Sequence, residues 1–257
     1  MLKLFRNIRQ NLLKEGKTSK YFKYAIGEIV LVVIGILIAL QINNQNDARK
    51  ELTKEMHYLQ NIKSDLQTNI VEMDKYMATR TECIAAANRI IEHFEGKALT
   101  DISKFNEDQI NIYSWRKFYQ SNNTFQELTN SGNLAIIKND SIKNMLLDIE
   151  SLYKVMKAEE EHFRYDTEIL LYEPLYNLMD LNPMVKNYTY RASNGQAGEN
   201  IELSKTEFDS FLKDKKIKNG FVMTVLEFTV LNDMFRDMKQ VSEKLIKIIE
   251  KEIDKNK

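Results

Sequence analysis

Twelve consecutive residues, 29–40, read IVLVVIGILIAL without a polar side chain among them. They lie inside YAIGEIVLVVIGILIALQI, residues 24–42, which as a helix would reach ~28 Å, close to the hydrocarbon thickness of a bilayer. Glu28 falls one turn in, where a carboxylate still reaches headgroups, and Gln41, Asn43 and Asn44 close the far end. A buried core helix and a cleaved signal peptide are the other readings for such a run. Cleavage wants small residues at −3 and −1. Ala39-Leu40-Gln41 supplies one and lacks the other, and no Cys comes after it for lipidation. The expected anchor residues are Tyr24, Ile29, Val30, Leu31, Val32, Val33, Ile34, Gly35, Ile36, Leu37, Ile38, Ala39 and Leu40.

Charge supports a retained anchor. The chain holds 37 basic and 37 acidic residues, yet residues 1–24 carry seven basic groups and one acid. That is +6 at one end and −6 over the remaining 233 residues. Basic excess before a span places the N-terminus in the cytoplasm and the chain beyond the span outside it. The expected location is therefore the inner membrane, with an extracytoplasmic C-terminal domain. Within residues 1–23, Leu4, Phe5, Ile8, Leu12 and Leu13 recur at helical spacing among Lys3, Arg6, Arg9 and Lys14. A helix lying on anionic lipid fits this pattern, and so does a short basic tail. Nucleic-acid binding is the least favoured reading, because the basic set adjoins a span and belongs to no recognised nucleic-acid fold. Gly35 and Ala39 form a small-x-x-x-small pair that would let two such helices approach, giving a possible homodimer.

Beyond the span the pattern is helical throughout. No Pro precedes residue 174, and no Gly lies between Gly35 and Gly96. Stepping alternately four and three from Leu52 gives Leu52, Met56, Leu59, Lys63, Leu66, Ile70, Met73, Met77, Arg80, Ile84, Ala87, Ile91 and Phe94, of which eleven are apolar. Such a stripe marks coiled-coil-like packing. Nothing stops the span from continuing into this helix, which would end at Gly96. A second stripe, Leu231, Met234, Met238, Val241, Leu245 and Ile248, lies in a C-terminal helix. A third helix starts at the cap cluster Asn139-Asp140-Ser141 and carries Ile142, Leu146, Ile149, Leu152, Tyr153, Met156 and Phe163.

The expected fold class is all-α: a single transmembrane helix continuous with the long helix of an extracytoplasmic antiparallel bundle. Its expected parts are a basic segment 1–23, a span 24–42 and a bundle 43–257. Inside the bundle the expected elements are the long helix to about 95, short helices within 107–137 and a helix over 140–173. A loop over 182–203 and helices over 205–214 and 218–254 complete the set. Thr124 is the expected cap of a short helix that Gly132 ends, and Ser204 with Glu207 matches a capping box.

Candidate chemistry is sparse. Glu159 and His162 form one Glu-x-x-His, but a di-iron bundle needs that motif twice, and Lys54 and Ile90 stand three residues before His57 and His93. A solvated charged face is favoured over a metal site, with His57 and His93 partly buried beside the stripe. Cys83, the one cysteine, has no evident base and reads as an inert thiol. No phosphate loop, His-Glu-x-x-His or Gly-x-Ser-x-Gly occurs, so neither catalytic residues nor a cofactor are expected. Trp115, Tyr119, Phe125, Asn130 and Asn133 mark the most distinctive segment, either a pocket lining or, more often for such clusters, a plug sealing one end of a bundle.

The run GKTSKYFKYAIGEIVLVVIGILIALQINN, residues 16–44 with FRNIRQNLL before it, resembles the opening of a large uncharacterised family of single-pass membrane proteins common in Bacteroidota. FQELTNSGNLAIIKN, residues 125–139, is similar to that family's second hallmark. The resemblance implies a membrane-anchored protein with an extracytoplasmic helical domain and brings no catalytic residues. It leaves two function classes. The first is an interaction or scaffold protein with an unknown protein partner. The second is a ligand-sensing input module, which would have to signal through another protein because only ~24 residues would lie in the cytoplasm.

Overall fold

A computed structural model describes residues 18–256, so the expected surface helix and basic tail over residues 1–17 lie outside the described residues. Every regular element among the described residues is helical. They are α1 (Thr18–Phe94), α2 (Ile102–Tyr113), α3 (Asn123–Asn130), α4 (Asp140–Thr167), α5 (Glu173–Leu178), α6 (Leu181–Ala192), α7 (Lys205–Phe211) and α8 (Lys215–Lys255). A 3-10 turn, Asn133–Ile136, precedes α4, and a π turn, Glu168–Tyr172, comes after it. The chain divides into two compact units between His57 and Tyr58.

In the first unit, every residue from 29 to 50 is exposed. The aliphatic side chains of residues 29–40 have no protein over them, and this is the one described helix long and apolar enough to cross a membrane.

The second unit has its own core. Lys63 meets Glu250, Asp74 meets Lys239 and Glu95 meets Lys218. The Asn232 amide donates to Met77 O and Thr81 Oγ1 between those pairs. Residue numbers climb along α1 as they fall along α8, so the two run antiparallel here. Helices α4 and α8 also share an extensive contact. Phe118, Phe163, Phe228 and Phe235 fill one part of the core, and Phe105, Phe208, Phe211 and Phe221 another.

Half of each expected stripe is buried as expected, Leu59, Leu66, Met73, Arg80 and Ala87 on α1 and Leu231, Met238 and Leu245 on α8, and the alternate positions shift by one residue. On α1 the line runs Leu59, Ile62, Leu66, Asn69, Met73, Arg80, Cys83, Ala87 and Ile90. Ile70, Met77, Ile84 and Ile91 are only half-buried, and Leu52 is exposed. On α8, Phe235, Ser242 and Ile249 replace Met234, Val241 and Ile248. Both helices have apolar residues on either side of the true seam, and polar partners select the register. Asn69 exchanges hydrogen bonds with the Ser121 backbone at 2.6 and 2.8 Å, and Tyr76 donates to Lys117 O at 2.9 Å.

Several expected local features are corrected. The segment 182–203 is not one loop, because α6 occupies Leu181–Ala192. Asp180 caps it, and Pro183 falls in its first turn, where no N–H is needed. Its inner face docks by polar contacts: Asn106 donates to Met184 O at 2.9 Å, and Asn187 donates to Ile201 O at 3.0 Å. The polar stretch after Gly96 turns helical at Ile102, capped by Asp101. Asn122 is the N-cap residue of α3, while the Thr124 hydroxyl binds Asp65 at 2.9 Å. Ser204 starts α7 without a side-chain capping bond. Asn139 caps α4 as expected, accepting from Ser141 and Ile142.

The third helix does not stop at Pro174. Proline lacks an N–H and its ring crowds the carbonyl four residues back, here that of Leu170. The wider π turn accommodates it, and the chain continues as α5. That turn presses Leu170 and Leu171 onto α8 at Gly220, where an added Cβ would lie 2.5 Å from Leu171 Cδ2 and 3.1 Å from Leu170 Cβ. Gly220→Ala should therefore lower stability by about 1–3 kcal/mol through overpacking, although helix propensity alone would favour Ala by about 1 kcal/mol. The denaturant midpoint measures which effect prevails.

Candidate functional site

Arg80 is one of two polar residues, with Lys63, that interrupt the expected apolar stripe, and the fold encloses it. Its side chain is 3 % exposed and that of its partner Glu160, on α4, 0 %. Arg80 Nη2 donates to Glu160 Oε1 at 2.5 Å, and the Phe118 backbone N–H donates to the same oxygen at 3.0 Å. Lys157 Nζ donates to Glu160 Oε2 at 2.7 Å and to Phe118 O at 3.0 Å. The guanidinium carbon stands 4.6 Å from the Phe235 ring centre. Burial pulls the Arg80 pKa down and Glu160 opposes that, so the group stays charged. Nη1 is buried with no hydrogen-bond partner.

Beside this pair lies a cavity of about 610 Å³, within the range of small-molecule sites. Tyr76, Trp115 and Phe228 give it aromatic walls, and Arg80, Cys83 and Arg116 also line it. Trp115 packs edge-on to Phe163 at 4.8 Å. Cys83 is buried, with Sγ 3.6 Å from Asn111 O. Burial, and then Glu82, push its thiol up to about 11 against the opposing charge of Arg80. That environment keeps it protonated.

The five residues expected to line a pocket or plug do not converge. Trp115 lines the cavity and is half-buried, and Phe125 is buried elsewhere. Tyr119 is 73 % exposed beneath the Lys157 ammonium, and Asn130 and Asn133 are exposed. The chain between α2 and α3 is not helical, so Phe118 turns inward while Tyr119 turns out. Gly35 and Ala39 are exposed, with nothing within 4 Å of a Cβ built at Gly35.

Of the three histidines, His57 is exposed rather than partly buried. His93 is half-buried, with Nδ1 3.0 Å from Lys97 O. His162 is exposed, but α8 brings Glu227 to within 3.6 Å of its Nδ1. Burial raises the Glu227 carboxyl pKa and His162 opposes the rise. Sequence reasoning does not single out Glu160 or Glu227. For Glu160 the available signal is the unmatched cation of the α1 stripe, whereas Glu227 has none.

A family model described as "Family of unknown function (DUF6090)" matches residues 28–196. That range contains the apolar run, Arg80, Trp115 and Glu160, and stops before α7 and α8. No curated protein and no solved structure matches the chain.

Three outcomes are expected of the buried groups. Glu160→Ala should cost about 3–5 kcal/mol, because it leaves a buried guanidinium uncompensated. Arg80→Met with Glu160→Met should recover part of that loss in the same unfolding measurement, although the Phe118 N–H still lacks its acceptor. Cys83, with roughly one thiolate in a thousand at pH 8, should resist iodoacetamide until the chain is unfolded.

Proposed function

The chain belongs to that family of unknown function, and from this premise we propose that it is a membrane-anchored scaffold whose helical bundle, outside the cytoplasm, holds a protein partner. The observation that carries the reading is the apolar helix surface of residues 29–40, exposed along its whole length. Ten of those twelve residues are Ile, Leu or Val, worth roughly 3–6 kcal/mol of insertion on a translocon scale. The +6 charge before the span orients it with the N-terminus inside. The partners under this reading are the lipid bilayer, an unidentified protein and a second copy approached through Gly35 and Ala39. Nucleic acid is not among them. No enzymatic step is assigned: the one cysteine is held protonated, and the buried Arg80–Glu160 pair ties helices together.

A second reading, ligand sensing through a partner protein, is favoured by the cavity beside Trp115. A ligand-specific rise in melting temperature of the full chain in detergent, abolished by Trp115→Ala, would select it over the scaffold.

Alkaline carbonate extraction tests the anchor. The intact chain should stay in the membrane pellet. Ile34→Lys with Leu37→Lys, each costing about 2.5–3.5 kcal/mol at mid-span, should release it. Recovery of the unsubstituted chain in the wash would refute the proposal.

A further inference from the structure

Glu159 and His162 stand one turn apart on α4, and Glu227 reaches the same point from α8. One oxygen of each carboxylate and a ring nitrogen of His162 all lie within 4.8 Å of one another. The burial of Glu227 is the second, independent observation. Its side chain is 8 % exposed, and its ion-pair partner is the exposed imidazole of His162, with Nδ1 at 3.6 Å. Buried carboxylates are ordinarily satisfied by several donors, and here one long contact to a single imidazole serves. A cation between Glu227 and His162 would supply the rest.

The spacing suits one. Donors on a tetrahedral zinc ion with bonds of ~2.0–2.1 Å stand about 3.3 Å apart, and the Glu227–His162 pair is already near that. His162 is exposed, so its ring can move the remaining distance and leaves a side open to water. An imidazole with two carboxylates matches zinc, cobalt or manganese better than calcium, which takes six to eight oxygens. The neighbouring Glu161 is engaged elsewhere, with Lys117 and Arg164.

We propose that Glu159, His162 and Glu227 bind one divalent transition-metal ion of the zinc class across the α4–α8 contact. The site is independent of the anchor and scaffold reading: it stands or falls whether or not the chain crosses a membrane.

The test is a cobalt titration of the full chain in detergent, stripped beforehand with chelator. One equivalent of Co²⁺ should bind with a visible ligand-field band, and Zn²⁺ should displace it. His162→Ala and Glu227→Gln should each weaken binding by at least ~100-fold, beyond the ~10–100-fold usual for a lost supporting partner. Glu161→Gln should leave the band intact. Circular dichroism shows whether each variant folds. Since His162 is exposed, His162→Ala decides the matter even if Glu227→Gln unfolds. Absence of a saturable band, or a band that survives His162→Ala, would overturn the assignment.

Discussion

Apolar side chains on a helix with no protein over them must be kept from water by something else, and residues 29–40 present ten branched aliphatic ones in a single run. A patch of that kind exceeds what soluble monomers ordinarily expose. Under the proposed anchor that cover is lipid, and a helix suits it because it satisfies its own backbone hydrogen bonds and asks nothing polar of its surroundings. Compartment, orientation and access to partners all depend on how that surface is covered. So does the demand on the second unit, which must be stable on its own contacts.

It meets that demand with aromatic packing around a charged pair. Arg80 and Glu160 are both removed from water, which is costly, and the surrounding donors offset the cost only when every element is in place. Glu160 takes hydrogen bonds from α1, from its own helix and from the backbone at Phe118, while Phe235 of α8 lies against the guanidinium. A slip of α1 by one residue would remove Arg80 from this arrangement and expose its buried acid. The pair thus fixes the register of helices whose apolar surfaces are broad enough to accept others. The cavity next to it inherits the same fixed walls through Tyr76, Trp115 and Phe228.

The sequence disclosed the helices that are long and periodic, since a stripe such as Leu59, Leu66, Met73 and Ala87 has few other uses. It misplaced only the alternate positions of each stripe, by one residue. Ile70 and Ile84 are as apolar as their buried neighbours, and only the distant partners of Asn69 and Tyr76 decide which way the helix turns. Strong local chemistry was legible, as with Asn139 at the start of α4 and the positive φ of Gly96 and Gly132 at helix ends. Helix α6 was not, because it is held by amide contacts from Asn106 and Asn187 that carry no periodic signature. The candidate site was half visible. Trp115, Cys83 and the Glu159–His162 pair could be named in advance, whereas Glu160 and Glu227 gain meaning only when α1, α4 and α8 are brought together.

The most direct measurement is accessibility along the apolar run in intact membranes. Single cysteines placed in turn over residues 24–46 would be reacted with a membrane-impermeant maleimide, the native Cys83 being shielded in the folded chain. No reaction over 29–40, with labelling beginning near 43 from the extracytoplasmic side, is the expected result. Labelling throughout the run, or a mature chain whose first residue lies beyond 40, would contradict the membrane anchor and with it the orientation of the helical domain.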